Sequence, residues 1–171
     1  MSRQDKPKMT KDTVPEGFTM KMALVDALPV LFFGASMVVL SILFSDVLFL
    51  IGALLCLLAG AAKVLWKVIV VRRKKNIWWL FLQMRILMPI GFALMLLSVL
   101  IHAKSIDFAR VWHAVTAFPP VICFAAGLIG MVLMGIFFVK LDSSDARSNW
   151  IEQVTNGLAQ MAIFVGLLML L

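Results

Sequence analysis

The chain has 171 residues, 63% apolar and 15% charged, with a mean hydropathy of +1.02 and a formal net charge of +7. Soluble domains run at roughly 45–50% apolar and about 25% charged, so this composition excludes an ordinary soluble domain, a disordered chain and a coiled coil. A polytopic membrane protein of one domain remains, with room for about four to six crossings at about 20 residues each.

Residues 1–22 (MSRQDKPKMTKDTVPEGFTMKM) read as a polar, basic arm, with a short surface helix starting near Thr19. The arm is too long and too mixed for the head of a cleaved signal peptide. The apolar run after it also lacks a small-x-small cleavage site with a soluble domain to follow. The first apolar segment is therefore expected to remain in the mature protein.

Five apolar segments follow, at about 23–44, 47–71, 77–101, 120–139 and 150–171. Each is long enough to cross about 30 Å of hydrocarbon as a helix. Helices are required, because unpaired backbone groups in lipid cost several kcal/mol each. The alternating segments of about ten residues that build a membrane barrel are absent. The expected fold is an all-α integral membrane protein, residues 23–171 forming one domain of five transmembrane helices. Only Ser45-Asp46 separates the first two, which should form a tight hairpin.

Residues 102–119 (HAKSIDFARVWHAVTAFP) are too polar to cross. Ile106, Ala109, Trp112 and Val115 or Ala117 recur at helical spacing after an N-cap at Ser105 or Asp107. This predicts a short amphipathic helix on the outer surface, broken at Pro119-Pro120.

Orientation follows from the cations. The arm, the Arg72–Lys75 loop and the Lys140/Arg147 loop carry eleven Lys and Arg; the two loops on the other side carry two. The positive-inside rule puts the N-terminus in the cytoplasm and the C-terminus outside, as in a bacterial-type cytoplasmic membrane. Trp66, Trp78, Trp79 and Trp150 flank the same face, as an interfacial aromatic belt would.

The strongest polar signal lies on the fifth segment, where Asn149, Glu152, Gln153, Asn156 and Gln160 fall within an arc of about 100° on a helical wheel. Such a stripe either joins helices by hydrogen bonds or faces a wet cavity. It is expected to face the second or third helix, with Lys63 or Gln83 within reach. Lys63 and Lys67 share a face with Gly52, Cys56 and Gly60, a ladder of small residues suited to close packing; the lysines pair with protein or lipid there, or snorkel. Gln83 and Arg85 point about 200° apart on the third helix. Asp26 is either a first-turn acid favoured by the helix dipole or the counter-ion of Lys63, Lys67 or Arg85. Ala126 and Gly130 mark the fourth helix as a packing element. Asp26, Lys63, Lys67, Gln83, Arg85, Glu152, Gln153, Asn156 and Gln160 all fall in the cytoplasmic halves of their helices, and are the candidates for binding a substrate or ion.

Cys56 and Cys123 lie in apolar runs and read as small hydrophobes. No GxSxG, HExxH, P-loop or CxxC pattern occurs, so no catalytic residue, metal site or cofactor is expected. The +7 charge sits at membrane flanks, which argues topology rather than nucleic acid. The expected partners are the bilayer and either copies of the chain or a larger membrane protein. Two function classes lead. One is a non-catalytic assembly or accessory component. The other is a small transporter or channel-type protein whose slightly cationic, cytoplasm-facing cavity takes an anion or a lipid headgroup.

Overall fold

Each apolar segment satisfies its backbone internally as a helix, and the boundaries follow from local capping chemistry. A computed structural model describes residues 14, 17–141 and 145–171, with no strand among them. Helix α1 (Met20–Phe44) begins three residues earlier than expected, because Thr19 caps it and its Oγ1 accepts the Met22 N–H at 3.3 Å. Ser45 then turns left-handed (φ 48°), and Asp46 caps α2 (Val47–Arg73) by accepting the Phe49 N–H at 3.0 Å. This is the tight hairpin that Ser45-Asp46 predicts.

The third segment departs from a continuous helix. It divides into α3 (Trp78–Leu82) and α4 (Met84–Ile101) at Gln83. The Gln83 amide donates to the Leu80 carbonyl at 3.3 Å. That carbonyl is the one an unbroken helix would offer to Met84, and a side chain inserted into the ladder bends the helix. Helix α5 (Phe108–Thr116) starts from Asp107, one of the two expected caps. Helix α6 (Pro120–Lys140) opens on proline, whose fixed φ and missing N–H suit a first helical position. Helix α7 (Ala146–Leu168) starts four residues before Trp150, since Asp145 accepts the Ser148 N–H at 2.8 Å.

Counting α3–α4 as one, five helices are long and apolar enough to cross a membrane. They pack in the spatial order α4–α2–α1–α7–α6, with α3 against α2 and α5 against α6. Helices α4 and α6 therefore close the row, each with one long neighbour. Only 11% of the most apolar stretch of α6 is buried, against 33% for α2. Ile122, Leu128, Ile129, Val132 and Ile136 of α6 are exposed, a run of apolar surface that lipid or a partner would cover.

Close backbone approach joins the row. A Cβ on Gly91 would stand 2.5 Å from Cys56 Sγ and 2.6 Å from the Gly52 carbonyl, so α2 and α4 touch through glycine. Gly60 instead meets Val30 of α1 at 3.0 Å. The expected ladder thus serves two neighbours, Gly52 and Cys56 facing α4 and Gly60 facing α1. On α6, Gly130 packs on Ala159 of α7 (2.5 Å for an added Cβ), whereas Ala126 is exposed. Lipid tails are as apolar as leucine, so such contacts hold helices by dispersion rather than by a hydrophobic drive.

The tryptophan expectation needs one correction. Trp79 is exposed, but Trp66 is 2% exposed, packed with Phe18, Met22 and Val70, and its Nε1 donates to Asn76 Oδ1 at 3.0 Å. A polar partner within the fold let this ring turn inward.

Candidate functional site

The end of the row that carries Arg72–Lys75 gathers polar groups from α1, α2 and α7. Asp26 is the seventh residue of α1, about 9 Å beyond its start at 1.5 Å per residue. Lys67 lies at a matching depth on antiparallel α2. Its Nζ stands 2.9 Å from Asp26 Oδ2, with both residues buried. The approach lies off the hydrogen-bonding direction, so Oδ2 has an ionic partner but no aligned donor. Lys67 also donates to Asn149 Oδ1 of α7 at 3.3 Å, and its ammonium stands 5.7 Å from the centre of the Phe18 ring. One lysine thereby joins three helices. Asp26 is the counter-ion, as one of the two sequence readings has it, and Lys67 is the partner among the three weighed.

The α7 stripe divides by burial. Asn149 and Gln153 are buried, whereas Glu152, Asn156 and Gln160 are half-buried. Gly157 lies against Leu28 and Pro29 and marks the α1 side of α7; Ala159, Ile163 and Gly166 pack on α6 and mark the other. At about 100° per residue Asn149, Gln153, Asn156 and Gln160 fall between those directions, and Glu152 falls on the α6 side. The expected facing toward the second helix is met only through Lys67, because α7 packs along α1 and α6. Gln160 leans to α6, where its amide lies 3.6 Å from Met131 Sδ.

Lys63, one turn deeper than Lys67, is half-buried and within electrostatic reach of Glu152. Neither makes a hydrogen bond or an ion pair among the described residues. Gln83 lies elsewhere: buried, it donates to the Ala59 carbonyl of α2 at 3.1 Å, while its Oε1 has no hydrogen-bond partner among the described residues. Arg85 is exposed, with its guanidinium 5.5 Å from the Phe81 ring centre. The structure thus joins Asp26, Lys67 and Asn149, with Lys63 and Glu152 in electrostatic reach, and leaves Gln83 and Arg85 outside that junction.

Sequence reasoning missed Phe18, hidden in the arm, and a second cluster at the opposite end. There Asp46 accepts the hydroxyl of Ser98, which is fully buried on α4, and His102 Nδ1 lies 3.0 Å from the Ser98 carbonyl. The Ser98 hydroxyl, the Phe49 N–H and the nearby His102 together hold the Asp46 carboxyl below its usual range. Ser45-Asp46 was legible as the hairpin link, but nothing in the spacing of residues 46 and 98 announces their contact.

No group of three or more His, Cys, Asp or Glu side chains among the described residues could hold a metal ion. Compared with protein-family models, curated proteins and solved structures, the chain matches none.

Proposed function

We propose that this chain is an integral membrane protein acting as a non-catalytic assembly or accessory component. The carrying observation is the Asp26–Lys67–Asn149 junction, in which three helices direct their most polar groups at one another. Buried polar groups used this way favour one packing arrangement over its alternatives, as a buried asparagine does in a coiled coil. The open order of the helices supports the same reading. Helices α4 and α6 each have an uncovered apolar side that bilayer, a second copy or a larger membrane protein would cover.

In the proposed placement the arm and the Arg72–Lys75 loop face the cytoplasm and Leu171 lies outside, the membrane being of the bacterial cytoplasmic type. Helix α5 lies along the outer surface. Phe108, Val111 and Trp112 sit at helical spacing and are exposed, which suits the headgroup boundary.

The test is assembly state in native membrane discs, read by cross-linking and mass. An assembly above the 19.0 kDa monomer, by copies or by a reproducible partner, is expected. A lone monomer at native expression level would refute the reading. A transporter or channel-type role is the second reading, favoured by the half-buried Glu152, Asn156 and Lys63. Ligand-dependent thermal stabilisation that Asn156→Leu with Gln160→Leu abolishes would favour it.

A further inference from the structure

Between residues 47 and 106 the sequence holds eight Lys and Arg and no Asp or Glu. Lys67 is answered from α1 by Asp26. Arg72, Arg73, Lys74, Lys75 and Arg85 are exposed and make no ion pair among the described residues. These five meet at one corner of the fold. The Lys74 backbone turns left-handed (φ 49°) to end α2, and Asn76 then pins the loop by accepting the Trp66 Nε1–H at 3.0 Å. Phe81 lies against the same Trp66, ring centres 5.0 Å apart, and 5.3 Å from Trp78. The Arg85 guanidinium in turn stands 5.5 Å from the Phe81 ring centre. A continuous line of contacts, Asn76–Trp66–Phe81–Arg85, thus fixes the arginine to the loop that carries the other four cations.

Helix geometry sets the direction of Arg85. Its Cα is seven residues beyond Trp78, about 10 Å along the axis, where a charge in hydrocarbon is costly unless it is compensated. Cα–Cβ bonds tilt toward the N-terminus of a helix, here the loop end, and the guanidinium lies by Phe81, one turn back toward Arg72–Lys75. The exposed Trp79 suits the headgroup boundary at that level. Phe92 and Leu96 fall within about 20° of Arg85 on a helical wheel and are both exposed. The arginine therefore stands at the head of an apolar strip that opens to the bilayer.

We propose that this corner binds an anionic phospholipid whose headgroup carries a phosphodiester and no cation, the chemistry of phosphatidylglycerol. The phosphate accepts from the Arg85 guanidinium, whose planar fork matches two phosphate oxygens. Arg72–Lys75 supply the surrounding positive potential, and the acyl chains run along Phe92 and Leu96. Phosphatidylcholine offers the same phosphate but brings a quaternary cation into a field of five others, so it binds more weakly. A soluble phosphate lacks the chains. The inference rests on the membrane placement proposed above and adds a lipid partner to it.

The experiment uses the full chain in discs of equal phosphatidylglycerol and phosphatidylcholine. Native mass spectrometry of the chain released from them reads which lipid it keeps. Phosphatidylglycerol should be enriched. Arg85→Met should lower the enrichment about fivefold, the factor that one cation contributes near a charged surface. Arg85→Lys should restore part of it, since the charge returns without the fork. Lys74→Gln with Lys75→Gln should lower it as well. Lys104→Met is the control: Lys104 is exposed but lies beyond the far end of α4, so its loss should leave the enrichment unchanged. Helicity and elution volume check that each variant is folded. Should Arg85→Met fail to fold, Arg85→Lys and the loop double variant decide. Equal retention of the two lipids by the wild type overturns the inference. So does an enrichment unchanged in Arg85→Met, or one lowered equally by Lys104→Met. Displacement of the kept lipid by soluble glycerol 3-phosphate would overturn the assignment to a lipid. A chain that does not enter discs at all would refute the membrane placement, and this site with it.

Discussion

Removing the Lys67 ammonium alone should be among the most damaging single changes in the chain. Lys67→Met keeps most of the stem and leaves the Asp26 carboxylate buried without its cation. Asp26 is 3% exposed, so water cannot replace the lost partner. At the observed 2.9 Å, two unit charges attract by about 6 kcal/mol at an effective dielectric near 20, before desolvation is subtracted. Breaking one side of such a pair costs about 3–5 kcal/mol. The lost bond to Asn149 adds about 0.6 kcal/mol, the average for interhelical hydrogen bonds in membranes. Replacing both partners by apolar residues avoids the stranded charge and is often neutral or stabilising. Asp26→Leu with Lys67→Met should therefore be more stable than Lys67→Met alone by about 3 kcal/mol or more. Equilibrium unfolding of all four corners of the cycle in one detergent or bilayer system reads this. Additive single effects, or a Lys67→Met variant within about 0.5 kcal/mol of wild type, would refute the claim that this contact joins the helices energetically.

Three further outcomes follow from other parts of the row. Gly91→Ala should destabilise the α2–α4 contact by about 1–3 kcal/mol, since its Cβ would meet Cys56 Sγ and the Gly52 carbonyl. Gly135→Ala is the control, with nothing within 4 Å of an added Cβ, and should be neutral or stabilising by about 0.5–1 kcal/mol through helix propensity; thermal unfolding distinguishes the two. At the opposite end, the lowered pKa of Asp46 means that its stabilising contribution is present above its unfolded value and is lost as pH falls through the folded one. Ser98→Ala removes the largest cause of that lowering, so its acid unfolding edge should move to higher pH. For the proposed topology, single cysteines at Lys74 should label only from the cytoplasmic side and those at His113 only from outside, read with an impermeant reagent on intact and permeabilised cells.

How much was legible in sequence depended on whether the signal was local. The five apolar segments, the Ser45-Asp46 hairpin and the Asp107 cap were readable because hydropathy and capping act within a few residues. The same logic places the start of α7 just after Asp145, four residues before the apolar run itself opens at Trp150. The break at Gln83 was not readable, because an amide reaching the Leu80 and Ala59 carbonyls depends on α2 lying alongside. The polar stripe was visible as a periodicity, but its facing was not. A wheel gives angles about one helix axis and says nothing about which neighbour occupies each angle. The small-residue ladder was visible as a close-packing face, but not its division between two helices, Gly52 lying against α4 and Gly60 against α1.

The spatial order explains why the polar chemistry concentrates where it does. In the row α4–α2–α1–α7–α6, α1 is the central member and the one flanked by both α2 and α7. A polar group on α4 or α6 would have one neighbour to answer it and hydrocarbon on its remaining sides. Groups on the facing sides of α1, α2 and α7 have two. Asp26, Lys67 and Asn149 are all buried at that junction, whereas Arg85 on α4 is exposed and has an aromatic face rather than an acid beside it. A membrane component built this way keeps its internal register through polar contacts at the centre. It leaves the apolar flanks of α4 and α6 free to meet whatever lies beside them. A partner that docks on α6 therefore need not disturb the Lys67 junction, and Lys67→Met need not alter the docking surface. Assembly that survives Lys67→Met at reduced monomer stability would separate these two roles, whereas loss of both together would mean that the centre and the flanks act as one unit.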